Sequence, residues 1–445
     1  MIETGSLLQA ATATTLGRRR AILFMLGCIY FLNFLDRQII LILQEPIREE
    51  FSLSDTQLGL MTGSAFGLLY TLLGMPLARL LDKGVNRTRF IGAITVMWST
   101  MTVICGFARS FTQLFFARIG VGMAEAGFTP AAHSLISDMY APVDRPRAIG
   151  LFALSVPIGG MAGLLIGGIL AQTYDWRVAL FVAGTPGIAM AALFVLISRE
   201  PARGRTESAS LTKMPAAQLG MMQSVALLLR RPAFRHVILS TSVCAFAQAG
   251  ITAWLPSFLL RAHGMQLSQV GLSLGLLTGI CGVIGTFGGG WQATFMARGG
   301  DHRMLLLPMF GALASVPLFA IAFMGTGWAR VELLLALPLI LGGLWTAPSI
   351  ALTQNLAPVT MRAQASAVYV IGANLIGVST GPLAVGLASD LFATYTNSSV
   401  TGLRLALIAV AFVLLWGAAH HLLAIRYIRR EQVGGPELQG HLRTS

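Results

Sequence analysis

Residues 21–43 read AILFMLGCIYFLNFLDRQIILIL. About 20 apolar residues cross a bilayer as one helix, so this stretch is long enough to span. It nevertheless holds an adjacent acid and base, Asp36 and Arg37, with Asn33 about one turn earlier and Tyr30 a further turn back. Arg18-Arg19-Arg20 precedes it, which mimics the start of a signal peptide. No small-residue cleavage site follows, and the run reads as an uncleaved first span.

Eleven more apolar runs follow, at 56–81, 89–108, 111–139, 148–172, 178–198, 236–260, 269–296, 304–327, 332–356, 364–390 and 402–425. Six spans lie on each side of a basic stretch. The expected organisation is a tail (1–20), a first six-helix bundle (21–198), a linker (199–235), a second six-helix bundle (236–425) and a second tail (426–445). Of 445 residues, 55% are hydrophobic and 11% charged. Soluble proteins carry about 25% charged residues. The excess of apolar residues excludes a disordered chain and argues against a soluble multidomain enzyme. The expected fold is an all-α membrane protein, with twelve transmembrane helices in two pseudo-symmetric six-helix bundles.

The net charge is +13. With the N-terminus placed inside, 23 of the 31 Lys and Arg fall in inside loops and tails, six fall outside, and Arg37 and Arg118 lie within spans. That asymmetry supports twelve spans with both termini cytoplasmic. It leaves nucleic-acid binding without a case, because the basic residues mark alternate loops rather than one face. The halves also repeat. Ala141-Pro142-Val143 with Arg147-Ala148 ends the fourth span, and Ala357-Pro358-Val359 with Arg362-Ala363 ends the tenth. Parallel repeats of this kind build transporters.

Glycines recur every fourth residue at Gly59, Gly63 and Gly67 in span 2, and at Gly159, Gly163 and Gly167 in span 5. They do so again at Gly271, Gly275 and Gly279 in span 8, and at Gly377 and Gly381 in span 11. Such stripes let helix backbones approach closely. They read either as static packing or as smooth faces on which two halves move. Their equivalent placement in the two halves favours motion.

A charge inside a span costs about 2.5–3.5 kcal/mol on insertion scales. Away from span ends only the first half carries such charges: Asp36, Arg37, Arg118 and Glu125. Arg118, Gly122 and Glu125 share one helix face. If spans 1 and 4 are neighbours, two carboxylates and two guanidiniums meet at similar depth. A buried carboxylate favours its protonated form when alone and its ionised form beside arginine. Arginine keeps its proton throughout. Carboxylates that change partners as water access changes sides would carry protons, whereas a static buried salt bridge is the competing reading. His133, further along span 4, is either a second proton site or a hydrogen-bonded core residue. In the second half, Gln248, Thr252, Trp254, Trp345, Tyr369 and Asn374 are cavity candidates, although any one of them can equally be packing.

The chain has no HExxH, GxSxG or Walker lysine loop, so no enzyme or ATP-driven pump is expected. Cys28, Cys105, Cys244 and Cys281 sit singly in apolar runs. No metal or cofactor is expected beyond the proton as coupling ion.

These residues resemble the major facilitator superfamily. The turn Ala78-Arg79-Leu80-Leu81-Asp82-Lys83-Gly84-Val85-Asn86-Arg87 is similar to its loop signature, with alanine for the leading glycine and one inserted residue. The resemblance assigns a cytoplasmic gating role to Asp82, Lys83 and Arg87. Arg118-Ile119-Gly120-Val121-Gly122 resembles an element linked to proton transfer. The stretches 33–37, Glu45-Pro46-Ile47, 54–59 and 118–127 resemble the Spinster-like group. That likeness makes Asp36, Arg118 and Glu125 a central polar cluster coupled to protons. It favours a lysolipid- or sphingoid-like substrate, within the amphiphilic or organic-anion class that charge confined to one half suits. Tyr30, Asn33, Arg37 and His133 are further cavity candidates. Sugar acids or other small carboxylates are the alternative. A lipid scramblase or a transport-dead receptor is the alternative of another class. Spans 1, 4, 7 and 10 would line the cavity. The protein is expected to be a monomer among membrane lipids, in a bacterial inner membrane.

Overall fold

The computed structural model describes residues 2–141, 143–198, 200–201, 221–358 and 361–433. Every regular element among them is helical. Eleven helical segments are long and apolar enough to cross a membrane: Gly17–Ile42, Asp55–Leu81, Arg87–Gly106, Arg145–Thr173, Trp176–Ile197, Pro232–His263, Leu267–Ala297, Asp301–Met324, Trp328–Asn355, Gln364–Thr396 and Ser399–Glu431. The twelfth is span 4, which runs as two pieces, Phe111–Glu125 and Phe128–Met139. They are numbered spans 1 to 12 in chain order, so Arg145–Thr173 is span 5. The expected twelve-helix membrane fold is the one observed.

Proline explains the break in span 4. Pro130 has no N–H, and its ring clashes with the carbonyl four residues earlier. That carbonyl belongs to Ala126, where the first piece ends. Span 10 repeats the device. Pro348 faces back to Leu344, and its helix breaks into Trp328–Gly343 and Thr346–Asn355. Spans 2 and 11 also share a feature, a wide π-turn at Leu60–Ser64 and at Gly372–Val378. Such turns are rare and cluster at functional sites. The pseudo-symmetry is therefore visible in helix defects as well as in sequence.

The two halves meet along two seams, span 5 with span 8 and span 2 with span 11, and glycine sets the approach. A Cβ on Gly168 or Gly271 would strike the backbone of the facing helix, at Leu267 and Leu164. Toward the other end of the seam the gap widens. A Cβ on Gly275 would lie 3.1 Å from the Met161 carbonyl, one on Gly279 would lie 3.7 Å from Met161, and one on Gly282 would meet nothing within 4 Å. The second seam behaves alike. A Cβ on Gly63 would come within 2.8 Å of the Ser379 carbonyl, while one on Gly74 would meet only Ala126 of its own half, at 3.9 Å. The halves thus touch at one end and splay at the other, the end where span 1 begins.

Large apolar side chains cover the outside, among them Phe116 (64% exposed), Phe287 (68%) and Leu333 (76%). A surface this apolar is matched to lipid. Of the expected linker, residues 202–220 lie outside the described residues. Its later part forms the helix Met221–Arg230 and the first turn of span 7.

Candidate functional site

Spans 1 and 4 bring the four intramembrane charges together in two pairs. Arg118 donates from Nη1 to Asp36 Oδ1 at 3.3 Å, and Arg37 donates from Nε to Glu125 Oε2 at 2.7 Å. Asp36, Arg118 and Glu125 are 2%, 1% and 0% exposed. The Arg37 side chain keeps 20% exposure, so its pair reaches water while the other does not. Span 2 supplies aromatic faces. The Arg37 guanidinium lies 4.7 Å from the Phe66 ring and 4.5 Å from Tyr70, and that of Arg118 lies 5.7 Å from Phe66. Phe66 therefore lies within reach of both guanidiniums, and its ring attracts each of them. Close packing here requires Gly122, where a Cβ would collide with the Phe66 backbone.

Glu125 Oε1, Arg118 Nε and both amide atoms of Asn33 are buried without a protein hydrogen-bond partner. Buried polar groups are rarely left so, and these lie beside the two ion pairs. Tyr30 stacks on Phe152 at 4.4 Å and packs against Phe128 and Phe34, which fixes span 1 against spans 4 and 5. His133 is exposed, with its ring edge on Phe152.

One member of the cluster was not anticipated. The Thr102 hydroxyl of span 3 hydrogen-bonds Asp36 Oδ2. It also lies 3.1 Å from the Trp98 carbonyl, the ordinary bond of a helical threonine.

Among the second-half candidates, Trp345 sits at the break of span 10 with its Nε1 unpartnered. Tyr369 is partly buried, and Asn374 lies in the π-turn, where its carbonyl accepts from Ser379 Oγ at 2.9 Å. Trp254 departs from its expected place in a cavity wall. It is 0% exposed, and its Nε1 donates to the Pro382 carbonyl at 2.9 Å, so it is packing. Of the expected gate, the Asp82 side chain lies outside the described residues, and Lys83 is exposed. Arg87 is 1% exposed and faces its own half rather than the other. It bonds Asp138, Glu200 (2.6 Å) and Ser134 Oγ (2.9 Å), and so ties together the ends of spans 3, 4 and 6.

Ion pairs between halves gather at the closed end, a second feature the sequence reading missed. Arg261 of span 7 grips Asp55 with two bonds, at 2.8 and 2.7 Å, and Glu45 at 2.8 Å. Ser389 of span 11 donates to Asp55 Oδ2 at 2.6 Å. Asp390 accepts the Asp55 and Thr56 backbone N–H groups at 3.0 and 2.8 Å. The local helix start is prepared by sequence, since Ser54 and Gln57 form a reciprocal capping box. Arg48, also from the first half, waits 3.5 Å from Asp55.

A buried charge cluster in one of two pseudo-symmetric bundles fits a transporter, and comparison with known proteins agrees. The Major Facilitator Superfamily model matches residues 26–382. The chain belongs to the Major Facilitator Superfamily. Among its relatives in that superfamily is an MFS-type efflux pump of Mycolicibacterium smegmatis, 33% identical over 91% of this chain and 92% of the relative. Human protein spinster homolog 1 is 27% identical over 86% of this chain and 75% of its own length. The solved structure of a bacterial homolog of the human lysosomal transporter Spinster, inward-facing and unoccupied, superposes with a TM-score of 0.86. That match has 28% identity and covers 93% of this chain and 98% of the other. The protein is thus a Spinster-like MFS transporter, multi-pass in the membrane, and not an enzyme.

Proposed function

We propose that this transporter is proton-coupled and moves an amphiphilic or organic-anion solute by alternating access. The observation that carries this reading is the pairing of the four charges. One pair is sealed, and the other reaches water through Arg37 while leaving one oxygen of Glu125 unpartnered. A proton on Glu125 releases Arg37, which is then free to hold an anionic group in the cavity. A proton on Asp36 releases Arg118 in the same way. Each guanidinium keeps an aromatic face when its carboxylate is protonated, which offsets part of the cost of the broken pair. Asn33, Tyr30, His133, Trp345, Tyr369 and Asn374 are the remaining cavity groups. The splayed end corresponds to the cytoplasm, which agrees with the basic loops there and with the inward-facing relative. The protein then works as a monomer in a bacterial inner membrane.

The substrate class follows from likeness to Spinster proteins and from charge confined to one half. An anionic head meets the first half, and an apolar body meets the second. A small carboxylate such as a sugar acid would use the arginines alone.

The experiment begins with a thermal-shift screen of lysolipids, sphingoid bases and sugar acids to choose a solute. The protein is then reconstituted with a pH-sensitive dye inside the vesicles. Addition of the solute should move protons in the wild type and not in the Asp36→Asn, Glu125→Gln double variant. Wild-type-like proton flux from the double variant would overturn the reading. Solute movement with no proton flux in the wild type would favour a scramblase instead.

A further inference from the structure

A cavity of about 690 Å³ lies apart from the four charges, between spans 1 and 5 and the loop that precedes span 5. Among the described residues, its lining comes from the first half. Span 1 contributes Arg20, Leu23, Phe24, Gly27 and Phe31 to its wall, which is one helix face. Span 5 contributes Arg147, Leu151 and Ile158 in the same manner. Each face therefore changes from cationic at the helix end to apolar deeper in the membrane. Gly27 keeps the floor low, because a Cβ there would stand 3.2 Å from Ser155 Oγ. Phe24 is 71% exposed, Leu151 54% and Ile158 49%, so the walls are open to whatever fills the groove.

Three guanidiniums, those of Arg19, Arg20 and Arg147, stand at the rim against one carboxylate, Asp144. Among the described residues, none of the three has a carboxylate within ion-pair distance. The Tyr140 hydroxyl, also at the rim, donates to the Arg19 carbonyl at 3.3 Å and so braces this end of span 1.

We propose that this groove binds an anionic membrane phospholipid. Its phosphodiester lies against Arg19, Arg20 and Arg147, and one acyl chain runs along the trench between spans 1 and 5. Guanidiniums match phosphate oxygens with paired N–H donors, and basic pockets between spans at this level of a membrane select such head groups. A soluble anion would leave the apolar trench uncovered. A zwitterionic lipid would bring its own cation toward three arginines. Occupancy bears on the transport machinery through Phe152, which lines the groove and stacks on Tyr30 of span 1 at 4.4 Å. The site does not depend on which solute is carried, since it uses none of the four clustered charges.

The test uses full-length protein in nanodiscs, with Phe24→Trp as a reporter and the parent protein's tryptophan signal subtracted. Brominated phosphatidylglycerol should quench the reporter at a mole fraction roughly tenfold or more below that needed for brominated phosphatidylcholine. Arg19→Gln, Arg20→Gln, Arg147→Gln in combination should abolish that preference. The combination Arg426→Gln, Arg429→Gln, Arg430→Gln removes equal charge from the other half and should leave the preference intact. Equal quenching by the two lipids overturns the proposal. So does a preference that survives the groove variants, or one that both sets of variants lose equally. If the groove triple variant fails to fold, Arg147→Gln replaces it. Native mass spectrometry of the wild type then gives the second measurement, with retained phosphatidylglycerol expected to exceed phosphatidylcholine. No excess overturns the proposal.

Discussion

Asp36 and Arg118 are sealed from water, so removing Asp36 leaves a buried guanidinium charged and without its carboxylate. Breaking a buried pair this way costs about 3–5 kcal/mol. Asp36→Ala is expected to lower stability by that order in chemical denaturation in mixed micelles. The Asp36→Ala, Arg118→Ala double variant should cost less than the sum of the singles, because it leaves no stranded charge. Strict additivity would show that the pair is not coupled. At the start of span 6, Arg177 holds the carboxyl of Glu50, which lies outside the spans, below its ordinary range through bonds of 2.6 and 2.5 Å. A lowered carboxylate stabilises the fold above its ordinary pKa, about 4.3, and loses that contribution as pH falls further. Glu50→Gln should therefore flatten a small part of the acid limb of a stability–pH curve, small because the pair is solvent-screened. Thr102 shows where residue-scale reading from sequence stops. A threonine in a helix usually bonds the carbonyl one turn back, and Thr102 does so with Trp98. Only the packing of span 3 on span 1 makes it a partner of Asp36. The four charges were legible because their cost in a span needs no tertiary information.

At the scale of elements, the closed end rests on Arg261. Charged hydrogen bonds contribute about 1.5–3 kcal/mol each, so losing one contact set should shift the population open at this end roughly tenfold or more. Arg261→Gln should speed thiol labelling of a cysteine placed at the buried Ser389 by that factor, whereas unchanged labelling would show that the seam does not depend on Arg261. Arg48 already lies near both carboxylates of the first half, which keeps them compensated when Arg261 departs. The glycine seam makes an independent prediction. Gly271→Leu would collide with the Leu164 backbone, so solvent access should rise at the closed end. Distances between spin labels on spans 5 and 8 should lengthen there. Unchanged distances would mean that the contact yields elsewhere. The glycine stripes of spans 2 and 8 were legible from their four-residue spacing as the seam between halves, whereas those expected there on spans 5 and 11 pack instead on spans 1 and 7 of their own halves. The lock was not, because Arg261, Glu45 and Asp55 look like ordinary loop-facing charges until span 7 and the start of span 2 are brought together. Pro130 and Pro348 were in plain sight as signals for the broken spans 4 and 10, but an apolar run long enough to cross hides a break within it.

For the whole molecule, alternation of basic loops and the internal repeat sufficed for twelve spans in two halves. Which end is closed was not legible, since both states share one sequence and differ only in which glycines touch. Trp254 and Arg87 mark the same limit. Each is a residue type that suits a cavity or a gate, and each is spent on packing within its own half. The central claim is that Asp36 and Glu125 couple solute movement to protons. Its most direct test is solute accumulation in vesicles under an imposed pH gradient, set against exchange at equal pH. The account predicts that Asp36→Asn, Glu125→Gln loses gradient-driven accumulation while it keeps exchange. Accumulation at the wild-type level in that variant would contradict it.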